Sequence, residues 1–360
     1  MPKAAILFEV GRPPEVREIV LPKLRPGQVR VRIAGAGVCH SDLSMMNGTI
    51  AQPVPAVLGH EGSGTVTEVG EGVRKVAPGD RVVFNWSPGC GECWYCLNDE
   101  AHICERAGEN SQLPYATLLG EGTQLCQALG VGAFAEESIV SDRAVVALPD
   151  SVSIEHAAIL GCAVLTGVGA VLHTAAARPG ESVAVFGLGG VGLCAVQGAR
   201  LVGACPIIAV DASPDKEQLA LSLGATDFLV ASDQVAREIR NLTEGRGVDH
   251  AFECVGRAAV MRQVWSATRR GGHATIVGIG SREDTLSFNA LELPYFARTL
   301  TGSFYGSSNP DRDIPRFARL AAQGRISLDQ LVSTRIGLDG IPAALERLEH
   351  GEGARSLVIP

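Results

Sequence analysis

The second half of the chain alternates between short apolar strands and helices, and this rhythm restricts the possible folds more than any other feature. From about residue 180 the strand segments are ESVAVFG, PIIAVD, DFLVA, VDHAFECVG and GHATIVGIG. The segments between them predict helices over Val191–Val202, through Arg237 and through Trp265, and a helix from Pro214 that Ser213 caps. Strands that alternate with helices in this way form a parallel, doubly wound sheet.

The first part of the chain has a different pattern and is rich in short strands. VRVRIAGAGV, GSGTVTEVG, GDRVVF and AFAEESIV are β-branched or alternating runs, broken by turn signals such as Pro78-Gly79-Asp80. A chain of 360 residues exceeds what one hydrophobic core usually supports. We therefore predict two domains, one rich in β-structure and one of the α/β class.

Composition and charge argue against several classes of function. A net charge of −8 offers no basic field that would hold nucleic acid. The N-terminus carries charges throughout and lacks the apolar core of a signal peptide. Residues 157–177 contain no charged side chain, but their glycines, Cys162 and His173 favour a buried helix over a membrane span. We expect a soluble, cytoplasmic enzyme without nucleic-acid or membrane partners.

A glycine-rich turn opens the helix that follows the first strand of the alternating half. Residues 187–192 read GLGGVG and fit G-x-G-x-x-G, with the apolar strand VAVF before them and Asp211 at the end of the next strand. Such a turn lets the backbone approach a pyrophosphate at a helix N-terminus. The predicted cofactor-binding residues of this turn are Gly187, Gly189, Gly190, Val191 and Gly192. A glycine-rich turn in a nucleotide-free α/β domain is the alternative.

The identity of the dinucleotide follows from Asp211. Its carboxylate would accept hydrogen bonds from the adenosine ribose hydroxyls, and its charge would repel a 2′-phosphate. No arginine follows, since the next residues are Ala212, Ser213 and Pro214. The sequence therefore favours NAD over NADP.

Four of the ten cysteines are crowded into one short segment. Cys90, Cys93, Cys96 and Cys104 have spacings that let a loop surround a tetrahedral zinc ion with four sulfur ligands. A closed site of this kind has no position for a substrate, so the predicted role is structural. An iron–sulfur cluster or an unrelated cysteine-rich loop is the alternative.

A second metal site is less evident from spacing. Cys39, His60 and Cys162 are far apart in the chain. Two cysteines and one histidine can bind a catalytic zinc with the fourth position open. An isolated buried cysteine or histidine is more often a packing residue. Spacing alone leaves both interpretations open.

Several segments together resemble the zinc-containing medium-chain alcohol dehydrogenases over essentially the whole chain. The segment Gly59-His60-Glu61-x2-Gly64-x5-Gly70-x2-Val73 is similar to the zinc signature of that family. Cys39-His40-Ser41-Asp42 resembles its first ligand segment, and Gly161-Cys162 followed by Thr166-Gly167 resembles its third. The resemblance implies a GroES-like β catalytic domain in residues 1–160, a Rossmann domain in 161–295 and a return to the catalytic domain in 296–360.

The resemblance also implies roles for individual residues. It gives Cys39, His60 and Cys162 as ligands of a catalytic zinc, and Asp42 as the carboxylate that orients His60. Glu61 lies behind the metal, and Ser41 accepts the proton of the substrate alcohol. Further cofactor-binding positions implied by the resemblance are His40 and Arg355 near the pyrophosphate, Lys216 near the adenosine ribose, Thr166 and Ile279. Positions that match a substrate channel are Ile50, Trp86, Phe134, Ile279 and Phe304, for each of which ordinary core packing is the alternative.

The reaction implied by the resemblance is the reversible oxidation of a primary alcohol to its aldehyde with NAD. A zinc-bound alkoxide would pass a hydride to the nicotinamide, and each subunit would hold two zinc ions. In animal-type enzymes a histidine ends the proton path, whereas Ser44 occupies the matching position here. The resemblance implies a homodimer or homotetramer acting on a small-molecule alcohol.

Two alternatives remain from the sequence. FNW and GVGAFAEESIV are similar to the actinobacterial thiol-dependent formaldehyde dehydrogenases, whose substrate would be a hydroxymethyl thiol adduct. In a different class of function, the four-cysteine segment would be a zinc-ribbon interaction module on an NAD-sensing protein. The Cys/His/Cys set with its open position and the acidic charge balance argue against the interaction module.

Overall fold

The computed structural model describes residues 1–360 and divides into two compact units. The first unit contains Met1–Cys162 and Asn309–Pro360, and the second contains Ala163–Ser308. This division differs from the expected return to the first unit at residue 296. The difference arises because a further strand, Thr299–Gly302, still pairs with the parallel sheet of the second unit.

The first unit is built from mostly antiparallel strands in two groups, with the parallel pairs β4–β8 and β17–β18. A closed barrel has the order β1-β2-β7-β8-β4, and its strands are β1 Lys3–Leu7, β2 Glu15–Val20, β4 Ala56–Val57, β7 Ala116–Leu118 and β8 Gln124–Gln127. A seven-stranded sheet has the order β10-β6-β5-β3-β18-β17, with β9 paired to β3. Its strands are β3 Gln28–Val38, β5 Glu61–Val69, β6 Arg81–Phe84, β9 Glu137–Ser141, β10 Val145–Ala147, β17 Val332–Ile336 and β18 Arg355–Val358.

The long strand β3 organises this unit. Its inward side chains Val29, Val31 and Ile33 alternate with more exposed positions and join a core of aliphatic side chains. The C-terminal strand joins the unit here, because β18 pairs antiparallel with β3 and sets Ser356 opposite Val38. The helices of the unit are α1 His40–Met46, α2 Trp94–Leu97, α9 Pro310–Ala322 and α10 Ile341–Glu349.

The second unit is a six-stranded parallel sheet with helices between its strands. The strand order is β13-β12-β11-β14-β15-β16, so the order reverses between β11 and β14. The strands are β11 Val183–Phe186, β12 Ile207–Asp211, β13 Asp227–Val230, β14 Val248–Glu253, β15 Thr268–Ile276 and β16 Thr299–Gly302. The helices are α3 Ala163–Gly169, α4 Gly190–Val202, α5 Glu217–Leu223, α6 Val235–Leu242, α7 Ala258–Ala267 and α8 Glu292–Phe296.

Two predictions from the sequence concern helical segments of the chain. The expected helix from Pro214 begins as a 3₁₀ turn, Pro214–Lys216, and its predicted cap is wrong because the Ser213 side chain makes no capping hydrogen bond. The Ser213 amide instead donates to Asp211 Oδ1 at 3.0 Å. The uncharged stretch 157–177 forms short helical segments with mostly buried side chains, and none of the helices has the length and apolarity needed to cross a membrane.

Candidate metal and dinucleotide sites

Three separate elements of the first unit bring one buried group of ligand atoms together. Cys39 lies between β3 and α1, His60 and Glu61 lie at the start of β5, and Cys162 follows the 3₁₀ helix His156–Gly161. One ligand atom from each of these four side chains lies within 4.8 Å of all the others. The sequence-predicted ligands Cys39, His60 and Cys162 are therefore neighbours in space, with Glu61 beside them.

Asp42 fixes the orientation of the His60 ring. Its Oδ1 lies 3.0 Å from His60 Nδ1 and accepts from the Gly59 amide, while its Oδ2 accepts from the Cys39 amide at 3.0 Å. This leaves His60 Nε2 as the free ring nitrogen, and that atom is buried without a hydrogen-bond partner. A buried, partnerless imidazole nitrogen beside two thiols fits a divalent metal ion such as zinc.

The two thiols of this group differ in their tendency to ionise. A hydrogen bond from Cys162, followed by the charge of Arg355, holds the pKa of Cys39 well below its ordinary value, although burial opposes this. The same hydrogen bond and burial raise the pKa of Cys162. Cys39 therefore favours its thiolate form, which is the form of cysteine that binds a metal ion.

A buried ion pair lies behind the ligand group. Arg355 Nη2 is 3.2 Å from Glu61 Oε1, and Arg355 Nη1 donates to the Val38 carbonyl at 2.9 Å. Burial raises the pKa of Glu61 to about 7 in spite of the arginine. The family resemblance implied only a pyrophosphate contact for Arg355. Its pair with Glu61 could not be predicted from the sequence, because no local pattern links residues so far apart in the chain.

The four-cysteine segment has the geometry of a closed metal site. The sulfur atoms of Cys90 and Cys96 are 3.9 Å apart, and those of Cys93 and Cys104 are 3.8 Å apart. Sulfur ligands about 2.3 Å from a tetrahedral zinc would be separated by about 3.8 Å. Amides of Glu92 and Cys93 donate to Cys90 Sγ and lower the pKa of that thiol to about 6. These four residues fit a structural zinc.

The glycine-rich turn lies at the carboxyl end of β11. Gly187 has a φ of +90°, and a Cβ on Gly192 would lie 1.8 Å from the Gly187 carbonyl oxygen. Both positions therefore require glycine. No side chain caps α4 at Gly189, so the N-terminus of this helix is free of a competing side-chain acceptor.

Asp211 is already engaged within the second unit. Its Oδ2 accepts from the Leu188 amide at 2.6 Å and from Lys216 Nζ at 3.1 Å. Asp211 thus ties the end of β12 to the glycine-rich turn. The predicted cofactor residue Lys216 is placed beside this carboxylate.

The other predicted site residues of the first unit differ in how far their side chains are buried. Ser41 is half-buried in the first turn of α1, next to exposed His40, and Ser44 of the same helix is buried. Trp86 meets the His60 ring edge-on, with the ring centroids 6.2 Å apart. Phe134 is 0% exposed within the core of the first unit, which is the core-packing alternative for this residue.

The other predicted pocket and cofactor positions lie in both units. Ile50 is half-buried in the first unit. In the second unit, Thr166 is buried in α3, whereas Ile279 and Phe304 are 50% and 46% exposed.

The chain is similar to known protein families and to individual relatives along its whole length. Residues 25–150 match the alcohol dehydrogenase GroES-like domain family, and residues 190–323 match the zinc-binding dehydrogenase family. The chain is 34% identical to an NDMA-dependent alcohol dehydrogenase of Amycolatopsis methanolica, over 99% of this chain and 98% of that protein. It is 35% identical to an S-(hydroxymethyl)glutathione dehydrogenase of Escherichia coli, over 99% of each.

Solved structures of dehydrogenases are also similar to this chain. A benzyl alcohol dehydrogenase from Acinetobacter calcoaceticus superposes with a TM-score of 0.91 at 29% identity, over 99% of each chain. An alcohol dehydrogenase zinc-binding domain protein from Burkholderia ambifaria gives a TM-score of 0.93 at 32% identity, over 100% of this chain and 99% of that chain. These similarities extend over both units.

Proposed function

Since this chain belongs to the zinc-containing medium-chain alcohol dehydrogenase family, we propose that it oxidises a primary alcohol to its aldehyde with NAD, reversibly. The family membership also confirms the predicted fold class, a GroES-like β domain with a Rossmann domain. The observation that carries the proposal is the buried group of Cys39, His60 and Cys162, with a partnerless His60 Nε2.

The proposed metals and cofactor have specific partners in the chain. Cys39, His60 and Cys162 are the proposed ligands of a catalytic zinc, and the four clustered cysteines those of a structural zinc. When bound, the catalytic zinc supplies a Lewis acid for the substrate hydroxyl, and NAD supplies the hydride acceptor. A cytoplasmic location is part of the proposal, since cysteines that bind metal are typical of reducing compartments.

The chain's own side chains orient the ligands and move the proton. Asp42 holds the His60 ring so that Nε2 remains available, and Arg355 balances the charge of buried Glu61. Ser41 lies two residues after Cys39, and its hydroxyl can accept the substrate proton while donating its own. Water would carry the proton onward, because the short side chain of Ser44 replaces a relay histidine.

NAD is the proposed acceptor because of the charge at the end of β12. The Asp211 carboxylate is a suitable partner for ribose hydroxyls and an unfavourable neighbour for a 2′-phosphate. Its bonds to Leu188 and Lys216 hold it beside the glycine-rich turn. A carboxylate has about four lone-pair sites, so these bonds leave acceptor capacity for a ribose.

A second candidate substrate is a hydroxymethyl thiol adduct. One relative at 35% identity is an S-(hydroxymethyl)glutathione dehydrogenase, and another at 34% is an NDMA-dependent alcohol dehydrogenase. In this alternative the same residues would oxidise the adduct of formaldehyde with a thiol. The zinc-ribbon interaction module is disfavoured, because the whole chain matches dehydrogenases.

A panel of primary alcohols, assayed with NAD and NADP, tests the proposal directly. Formaldehyde is included with and without added low-molecular-weight thiols. NADH production from aliphatic or aromatic alcohols without thiol supports the main proposal, whereas turnover that needs both formaldehyde and thiol supports the second. A zinc-loaded protein that reduces neither cofactor with any member of the panel contradicts both.

A further inference from the structure

A cluster of three hydroxyl groups lies in the second unit, and none of the roles assigned above involves them. Thr174 Oγ1 is 2.8 Å from Ser303 Oγ and 2.8 Å from Ser307 Oγ. Thr174 ends a π-helical turn, Ala170–Thr174, that continues α3. We refer to Thr174, Ser303 and Ser307 as the hydroxyl clamp. It joins residues separated by more than a hundred positions, so no sequence pattern reveals it.

The clamp holds a strained turn. Tyr305, Gly306 and Ser307 have φ values of 54°, 67° and 49°, so three consecutive residues lie in the left-handed region. For residues with a side chain this conformation is unfavourable, and it persists only where the surroundings impose it. Such strain is concentrated at functional sites. The surroundings must therefore hold the turn in this conformation, and the strain points to a functional role for the turn.

Close backbone packing provides a second anchor for the same turn. A Cβ on Gly306 would lie 2.2 Å from the Leu165 carbonyl oxygen, and a Cβ on Gly169 would lie 2.6 Å from the Gly306 carbonyl oxygen. Ser308 Oγ also donates to the Leu165 carbonyl at 3.2 Å. The backbone of the turn thus packs directly against α3 at Gly306, with the small Ser308 side chain beside this contact.

The position of the turn in the sheet indicates what it faces. The turn follows β16, and all neighbouring strands of this sheet are parallel, so it lies at the carboxyl edge, as the glycine-rich turn after β11 does. Dinucleotides bind across that edge at the point where the strand order reverses. Asp211 ends β12 on one side of that point, and β14, β15 and β16 lie on the other.

We propose that Thr174 is a positioning residue for the nicotinamide half of the dinucleotide, because its hydroxyl fixes the turn 303–308 at the carboxyl end of β16. This inference rests on the proposed function, which supplies NAD as the ligand. With Asp211 on the adenosine side, the opposite side of the switch point receives the nicotinamide. Ser303 is 8% exposed and Phe304 46% exposed, so the turn presents Phe304 outward, while Ser303 is buried and Thr174 and Ser307 are half-buried.

Ligand-binding measurements on three variants test this assignment. Thr174→Val removes the hydroxyl at nearly constant volume, and Thr174→Ser retains it. Thr334→Val is the matched control, because exposed Thr334 also bonds one serine hydroxyl, that of Ser356 at 3.0 Å, but lies in the first unit. The affinity for NADH is measured by fluorescence titration. The affinity for ADP-ribose, which lacks the nicotinamide, is measured by calorimetry.

We expect Thr174→Val to weaken NADH binding by about three- to tenfold, the usual effect of losing one or two neutral hydrogen bonds. ADP-ribose should bind to the Thr174→Val protein as it does to the wild type. Thr174→Ser should bind NADH as the wild type does, and Thr334→Val should change neither affinity. If Thr174→Val does not fold, Ser307→Ala takes its place, because it removes only one of the two hydrogen bonds. It should then weaken NADH binding and leave ADP-ribose binding unchanged.

A contrary result would count either against the positioning role of Thr174 alone or against the proposed function as well. Equal weakening of NADH and ADP-ribose, or unchanged NADH binding, would overturn the positioning role while leaving the proposed function intact. A wild-type protein that binds neither ligand would overturn the proposed function and, with it, this inference.

Discussion

At the scale of single residues, the candidate catalytic site depends on a buried network of polar groups around Asp42 and His60. Asp42 is 0% exposed and accepts from two backbone amides besides contacting His60. Removing one partner from such a network leaves another polar group buried without a hydrogen bond, which is costly. The residues best suited to mutational tests are therefore those that touch the reaction without supporting the network.

Ser41 is such a residue. We expect Ser41→Ala to lower turnover by about 10²–10⁴, the usual scale for a group that transfers a proton. Zinc content and NADH affinity should be unchanged, because Ser41 is only half-buried in α1. Ser44→Ala is the matched control on the same helix and should be nearly silent if water continues the relay. A large loss of turnover in Ser44→Ala, with zinc intact, would instead assign the relay to Ser44.

Asp211 allows a test of cofactor choice. Asp211→Ala should weaken NAD use and narrow the difference between NAD and NADP, because the charge that repels a 2′-phosphate is removed. The gain in NADP use should remain small, since the same carboxylate holds the Leu188 amide and Lys216. The measurement is kcat/KM with each cofactor. A wild-type preference for NADP would contradict this account of β12.

At the scale of elements, the two cysteine-containing groups should behave differently. The four-cysteine loop offers four sulfurs, whereas the buried group offers three proposed ligands with Glu61 beside them. A catalytic zinc of this kind keeps its fourth position for the substrate. We expect two zinc ions per subunit by elemental analysis. Cys93→Ser should lower the folding yield, while Cys162→Ser should give a folded protein without activity. Fully active protein with one zinc ion or none would contradict this assignment.

Two histidines on the paired strands β14 and β15 are in contact with each other. The rings of His250 and His273 are stacked with centroids 5.2 Å apart, and His250 Nε2 lies 2.8 Å from Glu181 Oε2. Burial, followed by the charges of His250 and Arg269, lowers the pKa of His273, although Glu181 and Asp249 oppose the shift. The folded state therefore favours neutral His273.

The sign of the pH dependence follows from that lowered pKa. The contribution of His273 to stability is present above its unfolded pKa of about 6.5 and is lost as the pH falls below that value. His273→Gln should therefore lose less stability than the wild type between about pH 8 and about pH 5.5, measured by urea unfolding. His350→Gln, at an exposed histidine, is the control. Equal pH dependence in the wild type and His273→Gln would contradict the prediction.

At the scale of the whole molecule, local sequence patterns account for the architecture better than for its long-range contacts. The helix predicted over Val191–Val202 is α4, Gly190–Val202, because apolar periodicity and the glycine-rich turn are local signals. The contact of Arg355 with Glu61 and the hydroxyl clamp join distant segments, and no periodicity encodes them. The boundary near residue 308 likewise depends on how β16 pairs in the folded sheet.

The oligomeric state is the remaining prediction at this scale. The parallel sheet of the second unit has two edge strands, β13 and β16. An unprotected edge exposes unpaired backbone groups, and pairing with a second copy across a two-fold axis protects it. Leu300 in β16 is 37% exposed, and nearby Leu291, Leu293 and Tyr295 are more exposed still. We therefore expect a homodimer or homotetramer that pairs through β16.

Charge substitutions on the two edges distinguish the strands. Leu300→Lys would set like charges close together across the two-fold axis and should shift the protein towards monomer in sedimentation velocity. Val230→Lys makes the same change on β13, where Val230 is 48% exposed, and should leave the assembly unchanged. If Val230→Lys dissociates the protein and Leu300→Lys does not, the interface lies on β13. A monomeric wild type at working concentration would contradict pairing at either edge, and both edges would then need protection by some other means.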